Sequence, residues 1–237
     1  MRNSMYAVLL MMSGTLSVVA TPIGNMEDIT LRAIRVLKEA AVIFCEDTRV
    51  TGNLLKRHGI ETKMQRLDAH TENVKIQEVI TLLEEGAKIA LVTDAGTPGI
   101  SDPGSRVVHA VREAGLASVT IDAVPGPSAL TALISISGFP MHEFTFLGFL
   151  PHKKGRQTAV KTLMTSSRAT VVYESPHRIQ KLLQAITAVE PNRTVCIGRE
   201  LTKMYEEVLV GSAQELLAHR SILNPRGEFV VIISPQE

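Results

Sequence analysis

Apolar residues along this chain gather in short runs separated by amphipathic stretches. TLSVVA (15–20), AVIFCE (41–46), KIALVT (88–93) and SVTIDAV (118–124) have the length and composition of buried strands. Between them, ITLRAIRVLKEA, TGNLLKRHG, NVKIQEVITLLEEG and SRVVHAVREAG carry apolar residues at helical spacing, with Gly86 and Gly115 as stop signals. Strand and helix in alternation predict βαβ units and a mostly parallel sheet. From about residue 126 the rhythm changes. FTFLGF, TVVYE, TVCIGRE, YEEVLVG and EFVVIIS read as strands, but only QTAVKTLMTSS, HRIQKLLQAITAVE and SAQELLAH separate them as helices, and a short loop joins TVCIGRE to YEEVLVG. The second half is therefore α/β with a mixed sheet. Pro-Gly-Pro at 125–127 ends a strand, and Ser128 can cap the helix ALTALISIS, so the pattern divides into domains at 1–125 and 126–237.

Composition narrows the class without naming a function. With 237 residues, 45% of them hydrophobic, the chain can bury a large core and reads as an ordinary soluble globular protein. A formal net charge of +1 gives no global pull toward nucleic acid or membrane, so such a partner must be held by a local patch. Cys45 and Cys196 lie inside apolar runs, and neither they nor the histidines show metal-ligand spacing. A reduced, cytoplasmic protein with no structural metal is expected. The stretch MRNSMYAVLLMM has a basic residue before an apolar segment, yet the segment is short and is soon followed by the first strand, which favours a ragged start over a targeting signal. No segment is long enough to span a bilayer.

The polar residues concentrate where strands end. Pro22-Ile23-Gly24-Asn25, Glu46-Asp47, Asp94 and Pro125-Gly126-Pro127-Ser128 each follow the carboxyl end of a parallel strand, the edge at which open α/β sheets bind ligands. The loop LVTDAGTPGISDPG uses three glycines, two prolines and two aspartates, far more than a turn needs. It lacks the lysine and the free N–H groups of a phosphate loop, and its acids repel phosphate. A ligand with hydroxyls and positive charge suits it better, and S-adenosylmethionine is one. Alternatively, Asp94 and Asp102 only cap turns and helix starts.

TLSVVATPIGNMEDITLRAIRVLKEA, CEDTR, LVTDAGTPGISDPG, VPGPSALTALISISG, FTFLGFLPHKKGR, VVYESPHR and RELTKMYEEVLVG, in this order and over nearly the whole chain, resemble the ribosomal RNA small subunit methyltransferase I family, a branch of the tetrapyrrole methylase superfamily. The resemblance implies a two-domain tetrapyrrole-methylase-like α/β fold, a homodimer, and S-adenosyl-L-methionine in a cleft between the domains. It also implies methyl transfer to the ribose 2′-hydroxyl of a cytidine in the decoding region of 16S rRNA, on free RNA or the small ribosomal subunit. Carried over by position, cofactor contacts fall on Pro22, on Asp94, Ala95, Gly96, Thr97 and Ile100, on Ser128 and Ala129, and on Tyr173, Glu174 and Leu201. Gly96-Thr97-Pro98 departs from the Gly-Asp-Pro of many tetrapyrrole enzymes, which leaves the side-chain role of Thr97 open. A tetrapyrrole C-methyltransferase and a non-catalytic nucleoside-binding module are the other readings.

Methyl transfer from sulfonium to oxygen needs alignment, a proton acceptor and a cation for the developing alkoxide. Asp47 and Arg49 of CEDTR are the candidates, against the simpler possibility that they pair and cap the next helix; Glu200 and Lys203 are rivals. For RNA contact, the chain has no Trp and only 4% aromatic residues, so a stacking platform is not expected and phosphate contacts must dominate. Lys153, Lys154 and Arg156 of PHKKGR are the candidate phosphate contacts.

Overall fold

The computed structural model describes residues 13–68, 71–102 and 104–235; the apolar stretch 1–12 lies outside them. The chain forms two compact units, Met1–Ser128 and Ala129–Glu237.

In the first unit, β1 (Thr15–Val19), β2 (Val42–Cys45), β3 (Met64–Arg66), β4 (Lys88–Leu91) and β5 (Thr120–Val124) pair in the order β3-β2-β4-β1-β5, all parallel. Four helices connect them: α1 (Leu31–Glu39), α2 (Thr48–Arg57), α3 (Glu72–Glu84) and α4 (Gly104–Glu113). Period-2 alternation sorts the strand side chains to two faces. Ile43, Cys45, Ala90 and Val92 join Ala33 and Leu37 of α1 and Leu54 and Leu55 of α2 in one core. Val42, Phe44, Ile89 and Leu91 join Val79 and Leu83 of α3 and Val107 and Val111 of α4 in another. Burial on both faces is why these strands read as continuous apolar runs. β3 has no counterpart in the apolar pattern. Its sequence, MQR, sits at the sheet edge and is specified by pairing with β2.

The helix after β1 and the helix after β4 pack on opposite faces, and β1 and β4 are neighbours. That is a topological switch point, so the chain diverges there at the carboxyl ends and leaves a crevice.

In the second unit, β6 (Phe144–Phe149), β7 (Ala169–Glu174), β8 (Thr194–Arg199), β9 (Glu207–Ser212) and β10 (Phe229–Ile233) pair in the order β6-β7-β10-β8-β9. Only β6 and β7 are parallel, so the sheet is mixed. One face carries Val172, Val195, Ile197, Val231 and Ile233 against α6 (Arg156–Met164), α7 (Ile179–Val189), α8 (Ala213–Leu217) and α9 (Arg220–Leu223). On β8, Gly198 makes room for α5 (Ala129–Ile136): a Cβ there would stand 2.8 Å from Leu133 Cδ1 and 3.0 Å from Leu201 Cδ2. β6 carries an irregularity between Phe146, which pairs with Val171, and Phe149, which pairs with Tyr173. Gly148, at φ +60°, absorbs the extra residue.

Candidate active site

The crevice of the first unit is built by hydrogen bonds between loops that sequence order keeps far apart. Thr21, just after β1, exchanges backbone bonds with Gly96 after β4, 2.9 Å from Thr21 N to Gly96 O and 3.1 Å in return. The Thr21 hydroxyl donates to the Thr93 carbonyl at 3.1 Å. Thr93 Oγ1 donates to Glu46 Oε2 at 3.1 Å, and the Asp47 amide donates to Asp94 Oδ1 at 3.0 Å, which ties in the loop after β2. Thr97 Oγ1 donates to the Pro127 carbonyl at 3.2 Å, which ties in the loop after β5.

Gly96 stands at the centre of this knot. Its φ of +84° is a conformation an L side chain rarely adopts, and a Cβ would lie 3.4 Å from Ile23 Cγ2. Gly99 is left-handed too, at φ +86°, and so is Ser101, at φ +67°. A non-glycine residue held there stores strain of the kind found at binding loops. Pro22 is buried beside Thr21, Ala95 is exposed at the loop tip, and Thr97 and Ile100 are half-buried. Ser128 and Ala129, both half-buried, fall where the first unit ends and α5 begins.

The acids of the crevice differ in proton affinity. Burial pushes Asp102 up to about 6, and the nearby charge of Glu46 adds to the effect while Thr93 opposes it. Burial also raises Asp94, against the amide bond from Asp47. Asp47 goes the other way, held at about 2 chiefly by hydrogen bonds from the Arg49 side chain and amide. It accepts Arg49 N at 2.8 Å as the N-cap of α2, and Arg49 Nη2 closes on Oδ2 at 2.6 Å. Asp47 and Arg49 thus form the pair that caps the helix. The Arg49 side chain is 88% exposed, so it remains open to an anion. Asp102 belongs to LVTDAGTPGISDPG, where it reads either as a ligand acceptor or as a turn cap; Thr21, Thr93 and Glu46 are signalled only by their place after strand ends.

The second unit places its candidates differently. Glu174 is fully buried and accepts from Arg178 Nε at 2.7 Å, Arg156 Nη2 at 3.1 Å and the Ser175 amide at 2.9 Å. Arg156 is therefore turned into the protein, with Nη1 buried and unpartnered, whereas Lys153 and Lys154 are exposed. Tyr173 packs edge-on to Phe146 at 5.0 Å between ring centroids. Leu201 is buried against Gly198. Its neighbours Glu200 and Thr202 are left-handed, at φ +48° and +66°. Burial pushes Glu200 up, but Lys203 Nζ and the Glu228 amide, each 2.9 Å from Oε1, outweigh it and hold the carboxyl below its ordinary value. Glu200 and Lys203 form a knot over Gly227, where a Cβ would stand 2.3 Å from Glu200 Cδ.

Among the described residues, no group of three or more His, Cys, Asp or Glu is arranged to hold a metal ion, and no helix is long and apolar enough to cross a membrane. Cys45 and Cys196 are buried free thiols, and burial pushes Cys196 up to about 11.

Comparison with known proteins agrees with this architecture. The model of the tetrapyrrole (corrin/porphyrin) methylases matches residues 15–217. A ribosomal RNA small subunit methyltransferase I of Thermotoga maritima is 42% identical over 224 residues, which cover 94% of this chain and all (100%) of that one. The protein of that name from Leptospira biflexa is 44% identical over 224 residues, covering 93% of this chain and 91% of its own. Among solved structures, a uroporphyrin-III-C-methyltransferase of Thermus thermophilus superposes with a TM-score of 0.65 at 21% identity, over 92% of this chain and 94% of that one. The methyltransferase CobJ gives 0.70 at 20% identity, over 94% and 95%. At such identity the two structures speak for the fold alone.

Proposed function

Because this chain belongs to the ribosomal RNA small subunit methyltransferase I family of the tetrapyrrole methylases, we propose that it transfers a methyl group from S-adenosyl-L-methionine to the ribose 2′-hydroxyl of a cytidine in the decoding region of 16S rRNA. We further propose that it acts in the cytoplasm as a homodimer. The observation that carries the reading is the stitched crevice of the first unit, lined by acids and by a glycine loop unsuited to phosphate.

The cofactor's chemistry fits that loop. Asp94 and Asp102 offer acceptors for hydroxyls and ammonium, and Gly96 supplies a left-handed backbone that an L side chain rarely adopts. Pro22, Asp94 to Thr97, Ile100, Ser128 and Ala129 would hold it, with Tyr173 and Leu201 supplied by the second unit and Glu174 behind them. Since the Glu174 carboxylate is already bound by two guanidinium groups, its part is to fix Tyr173 and the loop after it rather than to meet the ligand. Bound S-adenosylmethionine supplies an electrophilic methyl on a sulfonium centre.

The protein's own tasks are to align the ribose oxygen and to take its proton. Alignment accounts for much of such a barrier, on the order of 7 kcal/mol. Asp47, held at about 2, is a weak base at neutral pH; it orients Arg49, whose exposed guanidinium suits a developing alkoxide or a phosphate. Asp102, at about 6, is matched to proton acceptance near neutrality.

The test is transfer of labelled methyl groups to small subunits from cells lacking this protein, followed by mapping of the modified nucleotide. Label on a cytidine 2′-oxygen of the decoding region is expected. Label on a base, or none on any RNA, would defeat the reading.

A further inference from the structure

The aromatic residues of this chain are few, six Phe and three Tyr, yet the second unit brings three of them together at one edge of its sheet. The irregularity in β6 is the cause. In an unbroken strand, Phe146 and Phe149 would face opposite sides, because odd separations alternate. The extra residue at Leu147-Gly148 brings both to Tyr173, with ring centroids 5.0 Å and 5.6 Å away. Phe146 and Tyr173 are half-buried, but Phe149 remains 54% exposed.

The ring of Phe149 is also braced. The Arg178 guanidinium carbon stands 6.0 Å from its centroid, and Arg178 is itself fixed by Glu174 at 2.7 Å and by the Leu150 carbonyl at 2.9 Å. A lone exposed aromatic is common on protein surfaces and needs no explanation. This one is held on a bulge by a tyrosine and a buried-anchored arginine. It is followed within five residues by Lys153 and Lys154, which are exposed and make no ion pair among the described residues. No acid occurs from Phe149 to Arg156, which disfavours a protein partner that needs charge pairing and favours a polyanion.

We propose that Phe149 is a platform on which a base of the substrate RNA stacks, with Lys153 and Lys154 holding the adjoining phosphates. The inference rests on the RNA reading above and adds the site that grips single-stranded substrate. Stacking needs only the π face that every base has, so the contact secures a flipped or unpaired nucleotide without reading its identity.

The test uses the full chain and a fluorescein-labelled single-stranded RNA of 12 nucleotides, beside a 12-unit ribose-phosphate strand without bases. Phe149→Ala should weaken binding of the RNA by about fivefold to a hundredfold and leave its salt dependence and the affinity for the abasic strand unchanged. Phe149→Trp should bind at least as well as wild type. Lys153→Ala with Lys154→Ala should weaken both strands and lower the salt slope by about 1 to 1.5. Wild-type affinity in Phe149→Ala, or an equal loss on the abasic strand, overturns the stacking contact. So does a change from dimer to monomer in that variant by light scattering, which would make the ring a subunit contact. Methyl transfer to subunits by wild type is followed in parallel. If it proceeds while stacking fails, only this inference falls, and if it is absent the RNA reading falls first.

Discussion

Thr21 and Gly96, 75 positions apart in the chain, satisfy each other's backbone N–H and C=O at 2.9 and 3.1 Å, and through this exchange the loops after β1 and β4 become one structure. Each loop alone would be an irregular segment with unpaired backbone groups near the core. Together they form a miniature ladder at the switch point, which keeps Gly96 in its left-handed conformation.

Replacing Gly96 by Val should therefore damage the crevice while sparing the fold. The substitution forces a β-branched residue to φ +84° and crowds Ile23, a strain of roughly 1–3 kcal/mol confined to the loop. Titration calorimetry with S-adenosylmethionine should show affinity reduced at least tenfold, with an unchanged far-ultraviolet circular dichroism spectrum. Normal affinity would remove this loop from the cofactor site.

Asp102 links pH to both stability and rate. Folding raises its pKa from 3.8 to about 6, so the folded state holds the proton more tightly than the unfolded one. The stability this confers is complete below 3.8 and disappears as the pH rises through 6, beyond which a partly buried charge opposes folding. Asp102→Asn should raise the melting temperature at pH 8 by roughly 2–4 °C and flatten its dependence between pH 4 and 6. If Asp102 accepts the ribose proton, wild-type kcat climbs with pH through about 6, and the Asn variant, though more stable, loses roughly a hundredfold or more. A variant that is more stable and equally fast would place the proton elsewhere.

The two kinds of cation in PHKKGR should separate by what they stabilise. Arg156→Ala breaks one arm of a buried charge cluster and leaves Glu174 to a single arginine, whereas Glu174→Ala strands two guanidinium groups. Removing one partner of such a pair costs about 3–5 kcal/mol, so thermal melting should drop by several degrees for Arg156→Ala and further for Glu174→Ala. Lys153→Ala and Lys154→Ala should melt as wild type does. Equal melting temperatures for Arg156→Ala and Lys153→Ala would contradict the cluster.

Gly198 sets the spacing between β8 and α5. An alanine methyl at this position meets Cδ1 of Leu133, a fully buried side chain, so Gly198→Ala should cost roughly 1–3 kcal/mol by overpacking. Adding Leu133→Val should recover part of that loss in chemical denaturation. Strictly additive losses would show that the two sites do not touch.

Much of this was legible in the apolar pattern. The strands that begin at Thr15, Val42 and Lys88 are buried on both faces and announce themselves as unbroken runs, and their alternation with helices placed Asp47, Asp94 and Pro22 at one edge of the sheet. β3 was not legible, because an edge strand of three residues needs no apolar signal. The inward turn of Arg156 was hidden for another reason: its partner Glu174 lies 18 positions away on β7, and PHKKGR read alone looks uniformly basic. The aromatic cluster was missed because composition counts rings and does not locate them. It depends on one irregularity at Gly148, which alternation cannot anticipate.

The placement of β1 inside its sheet bears on how the chain comes into being. Its two neighbours are β4 and β5, so one edge of β1 waits for Lys88 to be synthesised and the other for Thr120. At translation speeds of about 5–20 residues per second, the roughly one hundred residues between β1 and β5 leave one edge of this apolar strand unpaired for about 5–20 seconds. Nascent chains arrested with Leu91 exposed but Val124 not yet emerged should remain protease-sensitive, and lengthening them past β5 should confer resistance in a single step. A strand made early is thus among the last to be secured, and until β5 emerges the newborn protein carries TLSVV without its full sheet cover.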